Sequence, residues 1–231
     1  MSKLLIKFPS RNRPEKFKHV LEKSINFLSG NHDVRFVITL DEDDPTMHNK
    51  KMKTYLKRIR KKGTDLVYYY GNSKSKVEAC NANLENEKAD VLLLLSDDMV
   101  PCFKGYDDLI FQGMKQSFPD MNGAIKFYDG LRKQEDILMT LPVLGWKLYE
   151  AIGYVYHPDY TSLYCDNEMT MVCIMLNKLV SSPLCIFRHE WTPQPFDELH
   201  ARNENPEMYR KDEAIFEKRK LNNFGVEKIN L

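Results

Sequence analysis

Two adjacent carboxylates, Asp97 and Asp98, follow an apolar strand and have the chemistry to hold a cation. In "ADVLLLLSDDMVP", residues 89–101, they come after five apolar residues and a serine. A strand that is apolar at every position is typical of a sheet covered on both faces, where an unpaired acid is costly. Mg²⁺ and Mn²⁺ prefer oxygen ligands, usually one or two carboxylates with phosphate oxygens. The pattern favours a divalent cation beside a phosphorylated ligand, although acid pairs also form helix caps and solvated turns.

Charged and polar residues also follow three other predicted strands, in "FPSRNRP" (8–14), "LDEDDP" (40–45) and "YGNSKSK" (70–76). In open α/β sheets, ligands bind outside the carboxyl ends of the strands. Recurrence of the pattern at several strand ends favours one shared crevice over unrelated solvated loops. The sequence contains neither Gly-x-Gly-x-x-Gly nor a Walker loop, so the usual glycine-rich phosphate cradles are excluded.

The elements that must position these residues alternate between short apolar strands and amphipathic helices. This alternation predicts an α/β fold with a mostly parallel central sheet and helices on both faces. The predicted strands cover 3–8, 34–40, 66–70, 90–96, 123–128 and, later in the chain, 182–191. The predicted helices cover about 14–28, 46–62, 75–87, 105–117 and 166–179, followed by a charged helical tail over 197–231.

Composition narrows the class of protein. The 231 residues carry a formal net charge of +1 and are 42% apolar, which is ordinary for a globular protein and gives no strong field for nucleic acid or membrane. The apolar stretch near the N-terminus is too short for a signal peptide, and no apolar run is long enough to span a bilayer. The five cysteines are odd in number and lack CxxC spacing, which predicts reduced thiols in a cytoplasmic protein.

Four stretches, taken in order, carry a family resemblance: "LLIKFPSRNRPEKFKHVLEKS", "FVITLDEDD", "SKVEACNANL" and "ADVLLLLSDDMVP". They resemble the nucleotide half of GT-A-fold glycosyltransferases, especially the family 2 type, over about residues 3–130 and more weakly to 191. The resemblance implies a single GT-A domain, with a nucleotide-sugar-binding half (1–130), an acceptor and catalytic half (131–196) and the tail. It further implies metal-dependent transfer from a nucleotide-diphosphate sugar, first of all a UDP sugar, to an acceptor hydroxyl with inversion.

The resemblance also implies roles on the donor side. Pro9, Ser10 and Arg11 would line the base pocket. Asp41 would hydrogen-bond the base, and Lys76 would reach the base or the diphosphate. The acceptor itself is open: a glycan, a small molecule or modified DNA.

The remaining implied roles concern the cation and the acceptor. Asp97 would meet the ribose, and Asp98 would ligate Mn²⁺ or Mg²⁺. The sequence departs from the family's Asp-x-Asp pattern because Ser96 stands at the first acid, which leaves the roles of the two aspartates open.

The other implied residues are His189 in "FRHEW" as a metal or diphosphate ligand, Asp166 in "YCDNEM" as general base with Glu168 as second choice, and Trp146 as a stacking surface for a sugar. Their simpler interpretations are a structural histidine, a helix N-cap for Asp166 and a core aromatic for Trp146.

Two other classes remain open. A nucleotidyltransferase acting on sugar phosphates would usually show a glycine-rich loop after the first strand, and "FPSRNRP" has no glycine. A non-catalytic sugar- or nucleic-acid-binding module would use the segment 50–62, in which eight of thirteen residues are basic, to contact a polyanion. The simpler interpretation of that segment is a solvated helix face.

Overall fold

The computed structural model of the protein describes residues 1–191 and 197–231. The strands are β1 (Lys3–Ser10), β2 (Asp33–Asp41), β3 (Asp65–Gly71), β4 (Val91–Leu94), β5 (Met99–Pro101), β6 (Ala124–Phe127), β7 (Val143–Gly145), β8 (Leu179–Ser182) and β9 (Phe187–His189). The helices are α1 (Pro14–Asn26), α2 (Lys50–Lys61), α3 (Lys76–Asn81), α4 (Tyr106–Ser117), α5 (Trp146–Ile152), α6 (Cys165–Met175), α7 (Glu198–Asn203) and α8 (Pro206–Lys220), followed by a 3₁₀ segment (Asn223–Lys228). Among the described residues, no helix combines the length and apolarity needed to cross a membrane.

Seven strands form one sheet in the order β3-β2-β1-β4-β7-β6-β8. Strand β1 pairs in parallel with β2 and β4, and β2 pairs in parallel with β3, while β7 runs antiparallel to its neighbours β4 and β6. Strands β5 and β9 form a separate antiparallel ribbon. The predicted α/β fold with a mostly parallel sheet is therefore confirmed.

Side chains that alternate along the central strands build a hydrophobic core on each face of the sheet. Leu4, Ile6 and Phe8 of β1 pack on one face with apolar residues of α1, α2 and α4. Leu5 of β1 packs on the other face with residues of α3, α5 and α6. Because both faces are covered, the polar residues that follow the strands are confined to the carboxyl edge of the sheet.

Helix α3 is shorter than the predicted helix over 75–87 and ends at Asn81. The buried ammonium of Lys7 donates to the carbonyl of Ala82 at 2.6 Å, and the hydroxyl of Thr39 donates to Asn83 Oδ1 at 2.8 Å. These tertiary hydrogen bonds hold the chain where it leaves the helix, and Asn83 adopts a left-handed conformation with φ 63°. The periodicity of apolar residues carries no information about these tertiary contacts, so it cannot predict that α3 ends at Asn81.

The strand predicted over 182–191 is wrong in extent. Strand β8 ends at Ser182, and β9 covers only Phe187–His189. Pro183 stands between them and offers no backbone N–H to a ladder. The preceding helix, predicted to reach residue 179, ends at Met175.

Candidate functional site

A cleft of about 540 Å³ opens at the carboxyl ends of β1, β2 and β4, within the size range of small-molecule sites. Nine of the eleven residues predicted for the site line it: Pro9, Ser10, Arg11, Asp41, Lys76, Asp97, Asp98, Asp166 and His189. Because β1, β2 and β4 are parallel, their carboxyl ends bring polar residues that are far apart in the sequence to one place. The recurrence of polar residues at successive strand ends predicts this arrangement.

Asp98 and His189 lie together on the cleft wall. Asp98 Oδ2 is 3.8 Å from His189 Nε2, while Asp98 Oδ1 accepts a hydrogen bond from the Ser96 hydroxyl. The ribbon of β5 and β9 sets this geometry, because it pairs Met99, the residue after Asp98, with His189. Ser96, where the resembling family has an acid, thus acts as a support for Asp98.

Asp129 lies behind the imidazole of His189 and was not predicted. Its Oδ2 is 3.8 Å from His189 Nδ1, and its Oδ1 accepts from the backbone N–H groups of Leu131 and Arg132 at 3.0 Å each. Burial opposes protonation of His189, but Asp129 and Asp98 outweigh it and raise the pKa of His189 to about 9. A cation at His189 Nε2 would therefore displace a proton.

This donor set fits a divalent cation. A carboxylate and an imidazole face each other, and a second carboxylate supports the far nitrogen of the ring, as is usual behind metal-bound histidine. His189 Nδ1 is buried and makes no hydrogen bond, so it is available to Asp129 when the ring is deprotonated at Nε2. The cleft supplies two protein ligands here, and a diphosphate would complete the oxygen-rich coordination that Mg²⁺ and Mn²⁺ prefer.

Within the described residues, the cluster that brings three metal-type ligand atoms within 4.8 Å of one another lies outside the cleft, at the start of α4. It consists of His32, Asp107 and Asp108. Both oxygens of Asp107 already accept hydrogen bonds from Ser29, at 2.9 and 2.6 Å. Both Asp107 oxygens are therefore occupied by close hydrogen bonds, whereas Asp98 accepts a close hydrogen bond at Oδ1 and has Arg13 and His189 at 3.7 and 3.8 Å from Oδ2.

Asp97 is the anchor of a buried ion-pair network. Ser10 Oγ donates to Asp97 at 2.7 Å and Arg13 Nη1 donates to it at 2.9 Å, while Arg13 also donates to Asp197 at 2.7 and 2.8 Å. Burial and the neighbouring Asp98 raise the pKa of Asp97, against the opposing effect of Arg13. Both oxygens of Asp97 are thus occupied by protein donors, which leaves Asp98 as the better cation ligand. The role of Asp97 at the ribose stays a prediction.

Asp41 presents an unsatisfied acceptor in the part of the cleft predicted to hold the base. Arg11 Nη1 donates to Asp41 Oδ2 at 2.9 Å and Arg11 Nη2 donates to Asp43 Oδ2 at 2.9 Å. Asp41 Oδ1 is buried without any hydrogen-bond partner. Because buried acceptors are almost always satisfied, this oxygen is ready for an N–H group of a ligand.

Asp166 lies in the first turn of α6, half-buried and on the cleft wall. Tyr164, in a left-handed conformation with φ 59°, is the N-cap, so the interpretation of Asp166 as the cap is wrong. The loop that leads into α6 is fixed by Asp212 of α8, which is fully buried and accepts from the backbone N–H groups of Ser162 and Leu163 at 2.8 Å each. The C-terminal tail is therefore part of the packed site.

Lys76, the first residue of α3, supplies positive charge opposite these acids. Its side chain stays accessible to solvent inside the cleft. Enclosure by the cleft walls acts to lower the pKa of Lys76, but Cys165, Asp166 and Asp98 raise it more strongly, and the net shift is upward. Lys76 is thus a fixed cation beside the position where a diphosphate would bind.

The structure does not bring Glu168 or Trp146 into the cleft. Glu168 is buried and accepts from Arg219 Nε and Nη2 at 2.7 Å each and from the hydroxyl of Tyr160 at 2.7 Å. Trp146, the first residue of α5, lies in the core, and its Nε1 donates to Glu150 at 2.9 Å. The predictions that Glu168 is the second-choice base and that Trp146 stacks on the acceptor sugar are therefore wrong. Glu168 forms a buried ion pair, and Trp146 packs in the core.

Three residues important to the site were missed. Asp129 follows β6 and Arg13 follows β1, so the rule that polar residues at strand ends form the site would have included both. Asp197 caps α7 and joins Arg13 from 184 positions away, and nothing local in the sequence indicates that contact.

No protein-family model and no protein of curated function matches the sequence. Solved structures do match. The mannosyltransferase PcManGT from Pyrobaculum calidifontis, in complex with GDP-Man and Mn²⁺, is 11% identical with a TM-score of 0.69, over 99% of this chain and 73% of its own. TarS 1–349 from S. aureus, in complex with UDP-GlcNAc, is 12% identical with a TM-score of 0.69, over 95% of this chain and 67% of its own.

A third match is glucosyl-3-phosphoglycerate synthase from Mycobacterium tuberculosis, in complex with Mn²⁺, UDP-Glc and phosphoglyceric acid. It is 13% identical with a TM-score of 0.62, over 94% of this chain and 79% of its own. The present chain spans 43% of a longer TarS chain. These similarities establish the class of fold: the chain has the GT-A-type glycosyltransferase fold. They confirm the fold that the strand-end motifs predict.

Proposed function

We propose that this protein is a metal-dependent glycosyltransferase that moves a sugar from a nucleotide-diphosphate sugar to an acceptor hydroxyl, with inversion. The observation that carries the proposal is the pairing of Asp98 with His189 on the wall of a GT-A cleft. Asp41, whose Oδ1 has no hydrogen-bond partner, supplies a contact for the nucleobase on the donor side. Asp166, in the same cleft, supplies an acceptor for the hydroxyl proton. As part of the proposal, the protein works in the cytoplasm, where its free thiols stay reduced.

The donor nucleotide is selected by Asp41. An ionised carboxylate only accepts hydrogen bonds, so Oδ1 needs an N–H on the edge of the base. Uracil, thymine and guanine present a ring N–H, whereas cytosine presents a ring-nitrogen lone pair that would repel the carboxylate and donates only through its exocyclic amine. UDP sugars are the first choice, and CDP sugars are disfavoured.

Asp98 and His189 would hold Mn²⁺ or Mg²⁺. When bound, the cation would supply Lewis-acid stabilisation of the charge that grows on the departing nucleoside diphosphate. The fixed charge of Lys76 adds to the attraction for the diphosphate. Asp129 keeps the His189 ring oriented with Nε2 towards Asp98.

Asp166 acts as the general base. An acceptor hydroxyl attacks the anomeric carbon as the sugar–phosphate bond breaks, and Asp166 Oδ takes the hydroxyl proton. A single displacement of this kind inverts the anomeric configuration.

The other classes are less well supported. The segment after β1 forms ion pairs to Asp41, Asp43 and Asp97 through Arg11 and Arg13 and is not a glycine-rich phosphate loop, which argues against a nucleotidyltransferase. A purely sugar-binding module would have no need of a carboxylate and an imidazole paired for a cation.

A donor screen tests the proposal. The protein is heated with UDP, GDP, TDP and CDP sugars, each with and without Mn²⁺, and the unfolding temperature is recorded. At a donor concentration of about 100 times Kd, we expect about 2.7 kcal/mol of stabilisation, which raises Tm by about 5–10 °C. The UDP sugar with Mn²⁺ should give the largest shift and the CDP sugar almost none. A metal-independent shift, or one of equal size for all four bases, contradicts the proposal.

The basic segment 50–62 forms α2, which buries Met52, Leu56 and Ile59 and exposes most of its Lys and Arg side chains. Arg58 has a weak partner in Glu22 at 3.8 Å, with both side chains largely exposed. Association of this face with a polyanionic acceptor such as DNA stays a proposal. It rests on charge alone, because cationic side chains release counterions when they contact phosphates.

Salt dependence tests that association. A triple variant with Lys57→Gln, Arg60→Gln and Lys61→Gln should reduce the slope of log K against log salt for duplex DNA by about 3. The matched control neutralises three residues, Arg210, Lys218 and Lys220, which are also exposed but lie on α8. Equal binding by both variants would identify α2 as a solvated face.

A further inference from the structure

Cys102 and Cys185 lie side by side at the end of the β5–β9 ribbon. Their sulfur atoms are 3.8 Å apart although the residues are separated by 83 positions in the chain. Cys102 is exposed and Cys185 is half-buried, whereas Cys80, Cys165 and Cys173 are buried. All five are free thiols.

The backbone already holds the two cysteines in register. The N–H of Cys102 donates to the carbonyl of Ile186 at 3.0 Å, and the Cys102 thiol donates to the carbonyl of Cys185 at 2.8 Å. A disulfide requires a sulfur separation of about 2.05 Å, so the two sulfurs must approach by about 1.8 Å. Because the Cys102 side chain is exposed, it is free to rotate towards Cys185.

We propose that Cys102 and Cys185 form a reversible redox site that closes to an intramolecular disulfide when the protein meets a hydroperoxide. The Cys102 thiolate attacks one oxygen of hydrogen peroxide, the O–O bond breaks, and the departing hydroxide takes up the proton that the thiol released, so Cys102 becomes a sulfenic acid and one water leaves; an organic hydroperoxide releases its alcohol instead. The Cys185 sulfur then attacks the Cys102 sulfur, the S–O bond breaks, and the hydroxide departs with the Cys185 proton as a second water. The two cysteines together lose two electrons to the peroxide, and a dithiol reductant restores them.

The order of events follows from exposure. Cys102 is the sulfur that an oxidant in solution reaches first. Burial and the neighbouring Cys102 raise the pKa of the Cys185 thiol to about 11, so Cys185 is the less reactive of the two towards a peroxide in solution. Its sulfur lies 3.8 Å from that of Cys102, which places it to attack the sulfenic acid in the second step.

The disulfide would lock the ribbon that carries His189. Strand β5 follows Asp98 directly, and β9 ends at His189. The Cys185 sulfur also lies against Gly130, where a Cβ atom would be only 3.3 Å away, and Gly130 follows Asp129. Closing the disulfide therefore ties together the two chain segments that hold Asp98 and His189, next to the segment that holds Asp129.

Peroxide treatment of the folded 231-residue chain tests the proposal. Remaining thiols are alkylated under denaturing conditions and mapped by mass spectrometry. We expect a loss of two of the five thiols, a linked Cys102–Cys185 peptide lighter by two hydrogens, a single-chain band on non-reducing denaturing gels, and full reversal by dithiothreitol. The buried Cys80, Cys165 and Cys173 serve as internal controls.

The variants Cys102→Ser and Cys185→Ser separate the site from general oxidation. Neither should lose a pair of thiols under the same treatment. Over-oxidation of Cys102 without a linked peptide, a covalent dimer through Cys102, or the same loss of two thiols in Cys185→Ser would each overturn the proposal.

Hydrogen exchange measures the locking of the ribbon. In the oxidised wild type, the amide of Cys102 and those of β9 should exchange at least about threefold more slowly than in the reduced protein. Unchanged exchange with a formed disulfide would overturn the locking. None of these measurements requires donor, metal or turnover, so their failure is distinct from a failure of the proposed glycosyltransferase activity.

Discussion

The variant Asp98→Asn is expected to lose metal-dependent donor binding and to lower kcat/KM for sugar transfer by about 10²–10³-fold. Asparagine keeps the size of the side chain and an oxygen acceptor for Ser96, but it removes the negative charge that faces His189. The fold should persist, since Asp97 and not Asp98 makes the close hydrogen bonds to Ser10 and Arg13. Calorimetric titration of Mn²⁺ with UDP sugar, followed by a transfer assay, measures both effects.

The matched control is Asp108→Asn. Asp108 belongs to the three-ligand cluster with His32 and Asp107, so its carboxylate is the alternative place for a cation. This variant should bind Mn²⁺ and donor as the wild type does. If Asp108→Asn loses the metal-dependent part of donor binding and Asp98→Asn keeps it, the cation site has been assigned to the wrong cluster.

The donor side of the site could be predicted from the sequence because the carboxyl ends of parallel strands lie at one edge of the sheet. Pro9, Arg11, Asp41 and Asp98 each lie at or just beyond the end of a strand whose apolar pattern is clear, so local periodicity was enough to place them together. The same rule, applied after β6, would have found Asp129. The sequence pattern could not predict the pairing of β5 with β9. Each strand of this ribbon has three residues, which is too short to show a periodicity.

Other parts of the site depend on contacts that have no local signal. Arg13 is held by Asp97 and Asp197, which are 84 and 184 positions away. Trp146 has the composition of a sugar-stacking residue, yet the core between α5 and the sheet takes it because burying an aromatic ring there stabilises the fold. Sequence patterns describe the faces of elements, but they do not decide which of two suitable environments a large side chain enters.

Asp166 and Glu168 show the same limit within one helical turn. Residues two positions apart on an α-helix point about 200° apart, so an element that turns Asp166 towards the cleft must turn Glu168 away from it. The structure agrees: Asp166 lines the cleft, and Glu168 pairs with Arg219 on the opposite side. The two carboxylates are therefore expected to give opposite results when each is neutralised.

Asp166→Asn should lower kcat by about 10²–10⁴-fold, the usual contribution of a general base, while donor and Mn²⁺ affinity and Tm stay near wild type. Glu168→Gln should do the reverse. It leaves Arg219 without its buried partner, which costs about 3 kcal/mol and lowers Tm by about 6–12 °C, while kcat at a temperature below unfolding is retained.

Single-turnover kinetics with saturating donor, together with thermal unfolding of each variant, distinguish the two residues. Turnover retained in Asp166→Asn would remove Asp166 as the base. Turnover lost in Glu168→Gln at unchanged Tm would show that the buried carboxylate takes the proton after all. The contrast is sharp because one physical fact, the direction in which each side chain leaves α6, determines both outcomes.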